Sequence, residues 1–283
     1  MQRYSLSPMI SSPLSMEQKH TLNIQGYLVV PGVMDKQTVD HARYLFYEWL
    51  PCEYATSTGP HQHITSHNVG HSSFAWFCRT TPKVLAIYRQ LLRCQRLVSN
   101  FQGCGFNPRI FQEENYVRSS TRPTEHETIY QSFLSITDNN ESTIQFVPGS
   151  HHQEHHLFSE NHIFANKSQT KEPQIVPKEY QRQFTNRLLS VNVKAGDLVI
   201  WDSRMLYQET YGNEIRIVQY MSFSCKDEMT ESQAEKREAA YLEYRTSRFR
   251  ALPLTLTKNP CPKHYEGLVD QQNPSKEILA LVC

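Results

Sequence analysis

The segment Gly196-Asp197-Leu198-Val199-Ile200-Trp201-Asp202-Ser203-Arg204-Met205-Leu206-Tyr207 constrains the fold more than any other part of the chain. Ala195-Gly196-Asp197 reads as a turn, because glycine tolerates a positive φ and an aspartate can bind nearby backbone amides. Before the turn, residues 188–193 alternate with strand period. After it, Leu198-Val199-Ile200-Trp201 is a short, buried-looking strand. That strand runs out into Asp202, Ser203 and Arg204, which is how a β scaffold delivers polar chemistry to its mouth. Residues 215–223 form a second strand one loop later, able to pair beside the first.

The remaining elements build toward this pair. Residues 26–33 form a strand stopped by Pro31-Gly32, after which Asp35 caps a helix with Val39, Ala42, Leu45, Phe46 and Trp49 on one face. A polar, His-rich stretch follows at 61–71. A helix then starts with Thr81 as cap and Pro82 at its first position, with Val84, Ile87 and Leu91 as its apolar stripe. Residues 97–101, 130–137 and 144–147 are further strands, the last ending in Pro148-Gly149-Ser150-His151. Thr230-Glu231-Ser232-Gln233 has capping-box spacing and opens a helix that turns Ala234, Ala240, Tyr241 and Tyr244 inward. The expected organisation is a flexible arm over 1–21 and one domain over 22–250 carrying a polar insertion at 152–187. A C-terminal arm over 251–283 is expected to wrap over the domain.

At 283 residues the chain is long enough for a sizeable core, and its net charge of +1 gives no ground for a nucleic-acid or anionic-membrane partner. No apolar run approaches the length of a bilayer span. Seven cysteines without a CxxC indicate neither a disulfide framework nor a zinc ribbon, which favours a reducing, intracellular compartment. Residues 1–20 lack the apolar core of a secretory signal, while a mitochondrial or virion-associated setting stays open.

Trp201-Asp202-Ser203-Arg204-Met205-Leu206-Tyr207, the run from Arg216 to Tyr220, and Pro148-Gly149-Ser150-His151 resemble the phytanoyl-CoA dioxygenase-like family. The resemblance covers roughly residues 22–250. It implies a mainly β double-stranded β-helix, or jelly roll, with flanking helices, and an iron(II)- and 2-oxoglutarate-dependent oxygenase ancestry. In such proteins a His-x-Asp motif and a distal His hold iron, since non-haem oxygenases use two His and one carboxylate on one face of the metal. By this resemblance Tyr207 stands where the distal His belongs, and the loop alignment puts Val117 and Ser119 at the His and Asp positions. Val117 has no donor atom and a neutral Ser119 hydroxyl is a poor ligand. Arg216 stands where the family holds the co-substrate carboxylate, and Gln131 and Ser203 are further candidate contacts to such a ligand. An Arg216 paired to Glu209, Asp202 or Glu214 inside the barrel mouth is the simpler expectation.

Other candidates carry less. His61, His63, His67 and His71 form a polar cluster, and His151, His152, His155 and His156 offer i,i+4 pairs that could bind zinc. Glu125, His126 and Glu127 could form an acid/base group or an alternative ligand set, although their spacing to the next strand fails the motif. Phe74, Trp76 and Phe77 read as core or lid packing, and Cys78, Cys94 and Cys104 as buried apolar residues. The functional expectation is a catalytically inactive oxygenase-fold protein without a cofactor, acting as a binding or structural component with other protein subunits. The alternative is an active oxygenase using Fe(II) and 2-oxoglutarate with atypical ligands on a small molecule or lipid-derived acid. A third reading keeps Arg216 as the anchor of a metal-free carboxylate sensor.

Overall fold

A computed structural model describes residues 12–56, 61–108, 117–120, 128–140, 144–153, 174–210, 212, 214–257 and 267–283. Twelve strands occur among them: β1 Tyr27–Val30, β2 His61–Ile64, β3 Leu97–Ser99, β4 Cys104–Asn107, β5 Arg118–Ser119 and β6 Tyr130–Ser135, then β7 Ile144–Phe146, β8 Gln174–Ile175, β9 Leu189–Ser190, β10 Leu198–Asp202, β11 Tyr207–Glu209 and β12 Arg216–Cys225. They form two antiparallel sheets. The larger runs β1-β10-β6-β12-β4-β2, with β3 also pairing β12, and the smaller runs β8-β5-β11-β7-β9. The sheets face each other as a double-stranded β-helix, the architecture expected from the sequence.

Strand alternation explains why β10 reads as an unbroken apolar run. Val199 and Trp201 point between the sheets, where they join Phe133, Phe146, Tyr207, Val218 and Tyr220. Leu198 and Ile200 point the other way, into the larger core shared with the flanking helices. A strand covered on both faces loses the polar half of its alternation. The turn before it is built as the residues predict. Gly196 takes φ +92°, a conformation that suits a residue without Cβ, and Asp197 accepts the amides of Gly32 at 2.9 Å and Lys194 at 2.9 Å. At the other end of the same sheet Gly26 has φ +81°, and a Cβ there would run into the Met205 sulfur and the His151 ring.

The helices follow their sequence signals. Lys36–Trp49 is capped by the Asp35 carboxylate and buries Val39, Ala42, Phe46 and Trp49. Pro82–Leu92 starts with Thr81 and Pro82 as predicted, and buries Val84 and Ile87. Glu231–Leu242 carries the full capping box of Thr230 and Gln233. Thr230→Ala is expected to cost about 1 kcal/mol of stability, read by urea or thermal unfolding. No change in midpoint would show that the helix is held by packing alone.

Three features differ from the sequence expectations, and a fourth adds detail to them. Part of the supposed flexible arm is a packed helix: Met16–Gln25 has a Ser15–Gln18 capping box, and Leu14 and Leu22 are buried against the domain. The strand at 188–193 shortens to Leu189–Ser190, which pairs with β7, while Val193 makes a separate bridge to Asn139. A disulfide joins Cys94 to Cys225 across 131 residues of sequence, and local spacing carries no signal of a pairing that long. Finally, the C-terminal helix Lys276–Val282 is anchored by an arginine. The buried Arg237 guanidinium donates to Val282 O at 2.7 Å, Leu281 O at 3.0 Å, Ala251 O at 2.8 Å and Ser99 O at 2.6 Å. No helix of the described residues is long and apolar enough to cross a membrane.

Candidate functional site: the chamber between the sheets

A cavity of about 400 Å³ opens at the mouth of the two sheets, within the size range of small-molecule sites. Its wall includes His63, Gln102, Arg118, Ser120, Gln131, Trp201, Tyr207, Glu209, Tyr220, Arg248 and Phe249. The pairing of β11 with β5 decides which residues face it. Tyr207 lies directly opposite Arg118, and residues opposite one another across a ladder share a face. Two positions further on, Ser120 and Glu209 return to that face, as strand alternation requires.

This register moves the candidate ligand positions by one. Val117 and Ser119 point away from the chamber. Val117 is fully buried in a satellite core with Val147, Val176, Phe184 and Leu206, and the Ser119 hydroxyl donates to Ser203 O at 3.3 Å. The i, i+2 pair that faces the chamber is Arg118 and Ser120. The loop before β6 gave the sequence no anchor for the register, whereas the ladder to Tyr207 does.

Tyr207, Ser120 and Gln131 form a short chain. The Ser120 hydroxyl donates to Gln131 Oε1 at 2.7 Å and lies 3.2 Å from the Tyr207 hydroxyl. Burial pushes the Tyr207 phenol up to about 12, with Arg118 opposing and Glu209 adding to the rise. At neutral pH Tyr207 therefore keeps its proton and serves as a neutral hydroxyl. Ser203 is buried beneath this corner; its amide donates to Ile129 O at 2.8 Å, and its carbonyl accepts the Ser120 amide at 3.1 Å. It braces the loop and is not part of the chamber wall.

Arg216 is engaged by the chain itself. Its Nη2 lies 3.4 Å from Glu209 Oε1 and its Nη1 donates to the Tyr220 hydroxyl at 3.3 Å. The guanidinium also stacks over the Phe133 and Tyr220 rings, 5.3 and 5.9 Å from their centroids. Tyr220 donates to Glu209 Oε1 at 2.6 Å, and His63 Nε2 lies 3.2 Å from Glu209 Oε2. Both Arg216 and Glu209 are almost wholly buried. Burial alone would raise the Glu209 carboxyl, but His63, Arg216 and Arg118 outweigh it and hold the group well below the usual carboxylate range. Of the partners the sequence offered Arg216, Asp202 instead pairs with Arg204, at 2.6 Å.

The other candidates disperse. His71 is buried, donates from Nε2 to Arg245 O at 2.9 Å, and is pushed down to about 3 by that burial. His67 pairs with Glu53 at 2.8 Å, and His151 and His152 both reach Asn23 O. Among the described residues, the grouping of three metal-capable side chains is Cys94, Cys225 and Asp227, two of them already joined to each other. Phe74 and Trp76 are core residues, and burial raises the Cys78 and Cys104 thiols. Cys94 is half of the disulfide rather than a free apolar thiol. Glu125, His126, Glu127, His155 and His156 lie outside the described residues, as does the side chain of His61.

Comparison with solved structures recovers the same architecture. HygX from Streptomyces hygroscopicus, solved with nickel and 2-oxoglutarate bound, is 14% identical with a TM-score of 0.53, covering 75% of this chain and 88% of its own. EctD from S. alaskensis, solved with 2-oxoglutarate and 5-hydroxyectoine, is 12% identical with a TM-score of 0.54, covering 80% and 81%. GIG2 from Candida albicans is 13% identical with a TM-score of 0.61, covering 82% and 68%. No curated protein matches.

These relatives correct the expectation that no cofactor is implied. Structures with this fold hold nickel, iron or 2-oxoglutarate, so a metal and 2-oxoglutarate are the groups the fold points to. Among the described residues, Arg118, Ser120 and Tyr207 do not supply a two-His, one-carboxylate set on this face. Arg118 is a cation, Ser120 a neutral hydroxyl, and Tyr207 a phenol that keeps its proton. Nor does the inner clamp present a bare guanidinium, since Glu209 already meets Arg216. The sequence profile of the phytanoyl-CoA dioxygenase family matches residues 22–208, two thirds of the chain, and the protein belongs to that family.

Proposed function

We propose that this protein is a binding component built on the oxygenase fold, whose chamber takes up a small polar molecule without hydroxylating it. The observation that carries this reading is the identity of the described side chains on the chamber face beside β5 and β11: an arginine, a serine and a tyrosine at 118, 120 and 207, rather than the two His and one carboxylate that a non-haem iron site uses. The fold does not need a metal for its stability, because its cores are made of alternating strand residues. A role as a subunit of a larger assembly is supported by Tyr44 and Tyr47, exposed one helical turn apart on the outer face of Lys36–Trp49.

Purified protein supplied with Fe(II), ascorbate, 2-oxoglutarate and oxygen is expected to release succinate only at the no-enzyme rate. Succinate formation that stops on adding a chelator would sink the non-catalytic reading. The assembly role is read separately, from the native mass of the protein isolated gently from its source. A mass equal to one chain would remove it.

A further inference from the structure

Cys94 and Cys225 are joined at the seam where β3 meets β12, away from the chamber. The covalent bond is one of several ties there. Leu97 lies opposite Cys225 in the ladder, Val98 opposite Ser224 and Ser99 opposite Phe223, and the Lys226 amide donates to Arg96 O at 2.7 Å. The Cys94 amide is fixed in turn to Arg89 O at 3.1 Å, where the helix Pro82–Leu92 ends. Backbone pairing therefore keeps the two Cα atoms, 5.7 Å apart, in place whether or not the sulfurs are bonded. Cys94 is buried and Cys225 half-buried, with the exposed Asp227 beside them, and ligand atoms of the three lie within 4.8 Å of one another. Arg96 Nη2 donates to Asp227 Oδ1, while Oδ2 has no hydrogen-bond partner among the described residues.

We propose that this seam is a redox-gated zinc site, in which Cys94, Cys225 and Asp227 hold the ion once the disulfide is reduced. It stands apart from the binding role of the chamber. A dithiol reductant gives up two electrons and two protons, becomes a disulfide itself, and leaves Cys94 and Cys225 as thiols. Zinc then displaces both thiol protons to solvent, and oxidation of the two thiolates back to a disulfide expels the ion. Two thiolates and one carboxylate suit zinc better than the hard divalent ions, with water in the fourth position. Asp227 is placed to ligate through Oδ2 while Arg96 steadies Oδ1, the arrangement by which a hydrogen-bonded carboxylate is oriented on a metal. The three anionic ligands exceed the charge of the ion by one, and the Arg96 guanidinium supplies the balance.

The test uses the full chain with Cys52→Ser, Cys261→Ser and Cys283→Ser, so that the thiols remaining outside the seam are the buried Cys78 and Cys104. The folded protein is titrated with Zn(II), and with Co(II) as a coloured probe, in the oxidised state and after reduction by a dithiol that is then removed without air. The reduced form is expected to bind one ion per chain at least about 100-fold more tightly than the oxidised form, with thiolate-to-cobalt charge-transfer absorption. Re-oxidation should release the ion. Asp227→Asn, an exposed substitution, is expected to weaken binding about tenfold, and Cys225→Ser to abolish the charge-transfer band of the pair. Should the serine variant fail to fold, the comparison of oxidised and reduced parent decides the matter without it. Equal binding by the two redox states overturns the inference, as does a disulfide that resists the dithiol in the folded protein. Metal uptake that appears only with loss of the native circular dichroism also overturns it. Unchanged affinity in Asp227→Asn overturns the three-ligand site. None of these results bears on the chamber, whose binding role is read by its own experiment.

Discussion

Glu209→Gln is expected to lower the stability of the folded chain by about 3–5 kcal/mol, the usual cost of removing one partner from a buried ion pair. The substitution keeps the volume of the side chain but removes the charge that faces Arg216, itself 2% exposed. The neutral amide can still accept from Tyr220, so the loss isolates the charge. Chemical unfolding of parent and variant measures it. A change below about 1 kcal/mol would show that Arg216 is satisfied without Glu209. The double variant Glu209→Gln, Arg216→Met is expected to recover most of the loss, since apolar replacement of both members of a buried pair is often neutral or better.

The same pair sets an acid limit on stability. The Glu209 carboxyl is depressed in the folded chain, so its contribution is present in full above the unfolded carboxyl value of about 4.3. It is lost as pH falls below that value toward the depressed folded one, because protonation then favours the unfolded chain. Stability of the parent should therefore drop between about pH 5 and pH 3 more steeply than that of Glu209→Gln, which has no such carboxyl to titrate. Parallel slopes for the two proteins across this window would contradict the assignment.

The triple variant Arg118→His, Ser120→Asp, Tyr207→His is expected to raise affinity for Co(II) by on the order of 100-fold over the parent. The three positions share one chamber face. Tyr207 is opposite Arg118 in the ladder, and the Ser120 hydroxyl already lies 3.2 Å from the Tyr207 hydroxyl. Two imidazoles and a carboxylate placed there supply the two-His, one-carboxylate set that suits a divalent ion. Appearance of cobalt ligand-field absorption bands on titration, absent from the variant that keeps Tyr207, is the readout. The corresponding triple at Val117, Ser119 and Tyr207 should gain nothing, because Val117 lies in the satellite core and Ser119 turns to Ser203 O, both away from the chamber. If that second triple binds and the first does not, the register described here is wrong.

The elements with strong local signals were legible in the residues themselves. The Gly196 turn, the doubly buried β10, the Asp35 and Thr230 caps and the Pro82 helix start each express a backbone or periodicity rule acting over a few positions. Together with the Trp201–Tyr207 and Pro148–His151 motifs they gave the jelly-roll architecture and the family. Legibility ended where partners are far apart in sequence. The Cys94–Cys225 link, the seat of Arg237 under the C-terminal helix and the Glu209–His63 contact each join residues that no local pattern connects.

The chamber shows the division most sharply. The residues alone put a tyrosine directly after the Trp201–Leu206 run, at the start of β11, where the family resemblance leads one to expect a His. Only the tertiary structure decided that Arg118 and Ser120, rather than Val117 and Ser119, face that tyrosine. A strand places successive side chains on opposite faces, so a slip of one residue exchanges core for chamber, and only pairing with a neighbouring strand removes that ambiguity.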